Sequence, residues 1–592
     1  MLDGTKQSKC SIENENLAGP ALVLMENGIE TQGSKAHSRD PSNSSLYPSF
    51  FSPSARALCM LTSIPCIGSF LVGMDFGLTA WLLVNIETNA GDGMKWFEIV
   101  GDSDVGRGIV GSSSPFGMAV GCLFATLFAE KIGRKGLMLI SALFYVTGCL
   151  VTCISGILTW QDVGGFCLLL AGRLLYGSGN AFVMISVPAY ISETLPSRLR
   201  GACLSCMELF VVVGLAVGFW LGSLRPFLVA RGWRYYFVVP LVLAVLMFLG
   251  VLVLPRSARW LITNKGTLPE IAAALRFVNP EASEDDARNL VWELRRGSGK
   301  KNITLFQQIK RGGAVAVAWK VSILLVAFQQ LTGQFALLYY SGLLFTDSFC
   351  GVSASWGLSL IGTVRLAGAI LCSFFVDEVG RRKLLVVSSC GMAVGMFFLA
   401  LDFVTKLVQS PAAGPVCLGI LVVAFYVYLF AFSLGLGPVT WILLGELYPV
   451  DVKSEASSWT LFILSMLNVL VSLLLPIVVK FLTFLGVFIM FFISCCICTF
   501  VMHLVVPETK GLTLEEIQFQ LEASWKTARE RLASLGPPTK ARPKSFHGFD
   551  KPEEESERPS QHQRRRTHVD SFSSKEILSE ENSPLLGKST AF

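Results

Sequence analysis

The sequence predicts an all-α membrane protein: twelve transmembrane helices in two six-helix bundles, with further helices outside the bilayer. Three observations predict it: an apolar composition, twelve stretches long enough to cross a bilayer, and charged motifs that recur in the same order in both halves. Of 592 residues, 52% are hydrophobic and only 16% charged, and the mean hydropathy is +0.56. Soluble chains average about 25% charged residues, so the composition argues against an ordinary cytosolic enzyme and excludes a disordered or collagen-like chain. Of the five histidines only His503 lies in an apolar stretch, too little for a histidine relay or a His-based metal centre. The 16 cysteines are scattered mostly through apolar segments without paired CxxC spacing, as buried packing residues are. No metal or cofactor is expected, and a net charge of +6 gives nucleic-acid binding no support.

A bilayer core of about 30 Å takes about 20 apolar residues in helical form. Six such stretches lie near 57–81, 108–129, 136–158, 164–188, 201–222 and 236–254. Six more lie near 315–343, 356–377, 383–405, 415–444, 457–480 and 484–506. The expected organisation is a mostly disordered polar tail over 1–56 with no cleavable signal, a first bundle over 57–254, and a linker with short amphipathic helices over 255–314. A second bundle over 315–506 follows, then a tail over 507–592, helical at its start and disordered afterwards. Lys131, Arg134, Lys135, Arg198, Arg200, Arg381, Arg382 and Lys383 all fall in loops that share one side. By the positive-inside rule that side is the cytoplasm, and both termini share it. The opposite loop over 82–107 is acidic. The sequons at Asn43 and Asn302 fall on the cytoplasmic side and are expected to stay unglycosylated.

The halves match motif by motif, roughly 250 residues apart. Glu130-Lys131-Ile132-Gly133-Arg134-Lys135 after the second span answers to Asp377-Glu378-Val379-Gly380-Arg381-Arg382 after the eighth. Tyr190-Ile191-Ser192-Glu193 answers to Gly445-Glu446-Leu447-Tyr448-Pro449, and Pro255-Arg256-Ser257 to Pro507-Glu508-Thr509. Two such bundles about an axis along the membrane normal are the repeat plan of a rocking transporter with its site near the midplane. Acids beside bases at helix ends make a candidate gate of Glu130, Arg134, Glu193, Arg200, Asp377, Arg381, Arg382, Glu446 and Lys453. Such clusters can hold the cytoplasmic side in one state and separate in the other.

Over about 57–520 the sequence resembles the sugar porters of the major facilitator superfamily. The motifs are Gly73-Met74-Asp75-Phe76-Gly77, Gly172-Arg173, Pro188-Ala189-Tyr190-Ile191-Ser192-Glu193 with Arg200-Gly201, Gln329-Gln330-Leu331-Thr332-Gly333-Gln334, Gly435-Leu436-Gly437-Pro438-Val439-Thr440-Trp441 and Pro507-Glu508-Thr509-Lys510-Gly511. Within the family it looks most like the class III facilitative glucose transporters, by the Thr332-Gly333-Gln334 run, Glu208 and a basic residue at 365. The resemblance implies the major facilitator fold and a hexose or related polyol as substrate. Departures are an acid replaced by Arg256, Thr126 for a glycine, Phe335 for an asparagine, and Leu464 and Ser465 where an Asn–Trp pair is usual.

Charges deep in lipid are costly and mark function. Asp75, late in an outward-running span, and Arg173, early in an inward-running one, share the outer half and can pair. The resemblance implies proton coupling through them; a permanent structural ion pair is the other reading. Glu208 lies eight residues in from Arg200 and Arg365 twelve from Asp377, depths of about 12 and 18 Å. The pair can bridge the halves, or Arg365 can attract an anionic substrate. Gln329, Gln330 and Asn468 offer donors and acceptors to a hydroxylated ligand, and Trp441 beside a helix break can stack on a pyranose. Glu581, Leu585 and Leu586 form an acidic dileucine signal for a sorting adaptor, which points to the plasma membrane or to endosomal and lysosomal membranes. The function expected is transport of a hexose or related sugar by alternating access, with or without a proton. A transporter-like sugar sensor and a carrier of ascorbate-like, inositol or acidic-sugar substrates are the alternatives. No Walker loop, nucleophile elbow or metal cluster suggests an enzyme.

Overall fold

The computed structural model describes residues 53–87, 95–155, 163–223, 232–297, 304–347, 354–408, 414–449, 452–512 and 514–534. The sequons and the dileucine signal at Glu581, Leu585 and Leu586 lie outside the described residues. The described residues are almost all helical, without strands, and the account concerns the compact unit that ends at Ala533.

The first half comprises α1 (Ala55–Glu87), the short α2 (Lys95–Gly101), α3 (Asp104–Ile132), α4 (Arg134–Ser155), α5 (Val163–Thr194), α6 (Ser197–Ser223) and α7 (Val238–Val253). The connection carries α8 (Ala258–Thr263), α9 (Leu268–Val278), α10 (Glu284–Gly297) and α11 (Leu305–Arg311). In the second half come α12 (Ala314–Leu331), α13 (Gln334–Tyr339), α14 (Ser341–Asp347), α15 (Ala354–Val379), α16 (Arg381–Val408), α17 (Gly414–Leu434), α18 (Leu436–Glu446) and α19 (Lys453–Val505); α20 (Leu514–Ser534) follows.

Among the described residues, 11 helices are long and apolar enough to span a membrane. One of them, α19, has 53 residues, about 80 Å at 1.5 Å per residue and far beyond a core of about 30 Å. Thr483, at φ 58° and ψ 173°, breaks it, in the gap expected between the last two stretches, and so the spans number twelve. The stretch 315–343 is not the single helix its hydropathy suggests. It breaks after α12 at Gly333, whose φ is 84°, a backbone state that glycine enters at little cost. Tyr428 Oη donates to the carbonyl of Thr332 at 2.9 Å there. The stretch 415–444 breaks at Gly435, where Ser388 Oγ accepts from the amide of Leu436 at 2.9 Å and donates to Ala431 O at 2.7 Å. Exposed amides in lipid cost several kcal/mol, so these hydroxyls are what make the breaks tolerable.

Each half has its own core. One cluster gathers Tyr145, Tyr176, Tyr190 and Met247 in the first bundle. The other fills the second bundle and continues into the far end of the first through Trp81, Phe219 and Trp233. Close helix crossings depend on glycine: a Cβ on Gly73 would lie 1.8 Å from Val211 O, and one on Gly177 2.0 Å from Ser114 O. Small residues of this kind let membrane helices approach to backbone contact. The first crossing seats α1 on α6; the second seats α5 on α3 and sets the site described next.

Candidate functional site

Asp75 and Arg173 are 2% and 1% exposed and form an ion pair, Nη1 to Oδ1, at 2.5 Å. The second guanidinium nitrogen donates to Thr79 Oγ1, one turn along α1 from Asp75. The other carboxylate oxygen of Asp75 accepts from Ser114 Oγ and from Asn180 Nδ2 at 3.1 Å. Asn180 is itself oriented by Tyr145 Oη, which donates to its Oδ1 at 2.9 Å. Arg173 and Asn180 are seven residues apart on α5 and so share a face, and the Gly177 crossing brings Ser114 to that face. The carboxylate thus carries three donor groups. That is the compensation a buried charge needs.

Between the halves lies a cavity of about 60 Å³. Asp75, Phe76, Ser114, Asn180 and Glu208 line it from the first half, and Gln329, Phe335, Tyr339, Arg365, Trp441 and Asn468 from the second. Gln329 Nε2 donates to Gly437 O at 3.4 Å, while its Oε1 is buried without a partner. Asn468 Oδ1 accepts from Ser472 Oγ at 3.0 Å. Gln330 is buried but does not line the cavity, because adjacent helical residues point about 100° apart. Glu208 and Arg365 do face one cavity from opposite halves, yet the direct bridge expected from their depths is not made. Arg365 Nε donates to Ser433 Oγ at 3.0 Å, its guanidinium sits 5.0 Å from the centroid of Phe432, and Nη1 is buried without a partner. Phe335, Leu464 and Ser465, the departures noted in the sequence, also line the space.

The family model described as "Sugar (and other) transporter" matches residues 61–521. The chain belongs to this sugar transporter family. It is a multi-pass membrane transporter of the sugar class and not an enzyme. It is 31% identical to "D-xylose-proton symporter-like 2" of Arabidopsis thaliana, over 77% of this chain and 89% of that one. It is 29% identical to the "Glucose transporter GlcP" of Staphylococcus epidermidis, over 77% and 95%. Among solved structures it matches a partially occluded inward open conformation of the xylose transporter XylE from E. coli, with a TM-score of 0.63 and 21% identity over 78% and 100%. That likeness bears on the fold alone and agrees with the twelve-helix major facilitator arrangement.

The duplicated motifs of the transporter adopt one geometry twice, at the end of the bundles that carries the basic clusters. Arg134 Nε pairs with Glu193 Oε1 at 2.9 Å, and Ser257 Oγ donates to Glu193 Oε2 at 2.6 Å. In the second half Arg381 pairs with Glu446 Oε1 at 3.1 Å and with Asp377 at 2.9 Å, and Thr509 Oγ1 donates to Glu446 Oε2 at 2.7 Å. Arg382 donates to His503 O, Lys453 to Gly445 O at 2.7 Å, and Glu130 O accepts from Trp260 Nε1 at 2.8 Å. Arg200 sits at the same end on α6. The pairs made by Arg134 and Arg381 each stay within one half.

At the opposite, acidic end the halves touch directly. Tyr340 Oη lies 3.2 Å from Arg107 O and 3.1 Å from Ser472 O. Trp220 Nε1 donates to Ser359 O at 3.1 Å, and Lys480 pairs with Asp104 at 3.3 Å. Nearer the centre, at the cavity wall, Phe76 packs on Phe335 with centroids 5.1 Å apart. This conformation is joined across the halves at its acidic end. Sequence reasoning missed Ser114, Asn180, Thr79, Tyr145 and Tyr339. Asn180, a lone amide seven residues after Arg173 in an apolar span, was the available signal.

Proposed function

We propose that the transporter carries a hexose or a related polyol by alternating access, with a proton coupled through Asp75 and Arg173. The single observation that carries this is the cavity between the halves, onto which the buried Asp75 network and the amides of Gln329 and Asn468 all open. Amides with spare valence suit a hydroxylated ligand, and Trp441 at the cavity wall offers an apolar face for a pyranose ring. The xylose-proton and glucose names of its relatives are in keeping with this substrate class. In this reading the proton is exchanged when Arg173 moves away from Asp75 and the carboxylate loses its counter-ion. Glu130, Arg134, Glu193, Arg200, Asp377, Arg381, Arg382, Glu446 and Lys453 serve as the cytoplasmic gate, with both termini on that side. The dileucine at Glu581, Leu585 and Leu586 recruits a sorting adaptor and routes the protein between the plasma membrane and endosomal or lysosomal membranes.

A second reading, an acidic-sugar or ascorbate-like substrate, is favoured by one observation: Arg365 Nη1 is buried without a hydrogen-bond partner. Glu208 on the facing wall opposes a net negative ligand. Uptake into proteoliposomes from a panel of hexoses, pentoses, inositol, ascorbate and uronic acids, with and without an inward pH gradient, decides. Accumulation of a neutral sugar driven by the gradient is the expected result. Binding without flux would identify a sensor, and uptake confined to the acids would replace the leading substrate class.

A further inference from the structure

On the outer face of the first bundle, a second cavity of about 400 Å³ is walled by α3 and α4 and floored by α5. Val120, Phe124, Phe128 and Ile132 form one wall at four-residue spacing, Leu137 and Phe144 belong to the other, and Leu175 lies on the floor. Phe124 and Phe128 are 54% and 41% exposed, so the groove faces the surrounding bilayer. From Val120 to Ile132 it runs about 18 Å along α3, close to the depth of one leaflet, about 15 Å. It ends at the Gly133 turn between α3 and α4, where the apolar stretch gives way to Lys131, Arg134 and Lys135.

That mouth is basic, and its counterpart in the other half shows why. After α15, Glu508 accepts from the amides of Arg381 and Arg382 at 2.9 and 3.2 Å, a carboxylate at the start of α16. The corresponding residue beside α4 is Arg256. Its guanidinium lies 4.9 Å over the ring of Trp260, and Trp260 packs beneath Gly133, where a Cβ would meet it at 2.7 Å. Lys131 and Arg256 are exposed. Lys135 Nζ is held by the carbonyls of Leu252 and Leu254 at 2.9 and 2.6 Å, which take two of its three protons, fix it on the α7 side of α4 and leave its charge uncompensated. Arg134 is balanced by Glu193, which leaves the exposed Glu130 as the acid on the turn itself.

We propose that this groove is a binding site for one anionic phospholipid, with an acyl chain along the α3–α4 walls and the phosphate at Lys131 and Arg256. An apolar trough one leaflet long, ending in uncompensated positive charge, complements that molecule in length, polarity and sign. A neutral lipid matches the trough and not the mouth.

The test is native mass spectrometry of the full chain in detergent, titrated in parallel with dioleoyl phosphatidylserine, dioleoyl phosphatidylcholine and cholesterol. The wild-type protein should retain phosphatidylserine in preference, by roughly fivefold for each basic side chain engaged. Arg256→Glu, which restores the acid of the other half, should abolish the preference while phosphatidylcholine retention persists. Leu175→Trp, which fills the floor, should lower retention of both phospholipids. Should Arg256→Glu fail to fold, Lys131→Gln supplies the same comparison with about a fivefold loss. Equal retention of the two phospholipids by the wild-type chain, preferential cholesterol binding, a dimer blocked by Leu175→Trp, or insensitivity to either substitution would overturn the proposal.

Discussion

Replacing Asp75 with Asn tests the coupling proposal at its centre. The substitution keeps the shape of the side chain and one oxygen, so Arg173 Nη1 retains an acceptor at the 2.5 Å position. It removes the charge opposite a guanidinium that is 1% exposed, and it turns the other oxygen, which Ser114 and Asn180 both address, into a donor. Ser114 can rotate away, but Asn180 is pinned through Tyr145 and loses its bond. Removing one partner of a buried pair costs about 3–5 kcal/mol; with one acceptor kept, the loss should fall near about 3 kcal/mol, read as a lower melting temperature in detergent. The functional effect is separable. One pH unit carries about 1.4 kcal/mol per proton, enough for about tenfold accumulation of a sugar moved with one proton. In proteoliposomes with an inward gradient of one unit, the wild-type protein should approach that ratio and Asp75→Asn should hold it at unity while sugar exchange continues. A variant that still concentrates sugar in response to the gradient would refute the role of Asp75, whatever happened to its stability.

Gln329→Leu should weaken sugar binding about fivefold, by the loss of one hydrogen bond of about 1 kcal/mol, yet leave the melting temperature unchanged or raised, because the unpartnered Oε1 is relieved and the bond given up, Nε2 to Gly437 O, is long at 3.4 Å; binding isotherms and thermal shifts on one preparation check both. Tyr340→Phe removes the hydroxyl shared by Arg107 O and Ser472 O and should shift the population toward opening at the acidic end by about 1 kcal/mol, seen as faster labelling of a single introduced thiol at that mouth. Arg134→Ala and Arg381→Ala should destabilise the protein to a similar extent, since each removes the guanidinium from a glutamate that also accepts from a hydroxyl, Ser257 or Thr509; markedly unequal melting temperatures would contradict their equivalence.

Hydropathy located the spans because the constraint it encodes, length against a slab of fixed thickness, acts on every helix alike. It could not locate the interruptions. Gly333 lies inside an apolar run whose mean hydropathy is unaffected by one backbone angle, and the break persists because Tyr428, almost a hundred residues away, satisfies the freed carbonyl. The duplicated motifs predicted more than topology: Arg134, Glu193 and Ser257 meet in the same arrangement as Arg381, Glu446 and Thr509. The site was legible where a charge in lipid advertised itself, at Asp75, Arg173, Glu208 and Arg365. It was illegible where neutral residues complete it. A serine or asparagine in an apolar helix can bond its own backbone, and only the Gly177 crossing delivers Ser114 to the face of α5 from which Asn180 meets Asp75. For Glu208 and Arg365 the arithmetic of rise gave depth but not rotation about the helix axis, and rotation is what leaves Arg365 on Ser433.

The distribution of strong and weak contacts suits a molecule that rocks. The charged pairs of Arg134 and Arg381 tie helix ends together within one half, with arginine side chains 14% and 13% exposed, where charge-assisted bonds are worth more than at the surface. Contacts across the halves are of another kind. Tyr340 and Trp220 meet backbone carbonyls, each worth about 1 kcal/mol, and Lys480, 70% exposed, meets Asp104 in a pair worth at most about 1 kcal/mol. The polar contacts across the acidic end are therefore weak one by one, and the apolar core that Trp81, Phe219 and Trp233 share with the second bundle carries most of the join between the halves. Ligand binding needs only to supply a differential of a few kcal/mol to change which mouth is open. The Arg365 Nη1 and Gln329 Oε1 atoms, partnerless at the centre of that interface, are where a polar ligand would supply it.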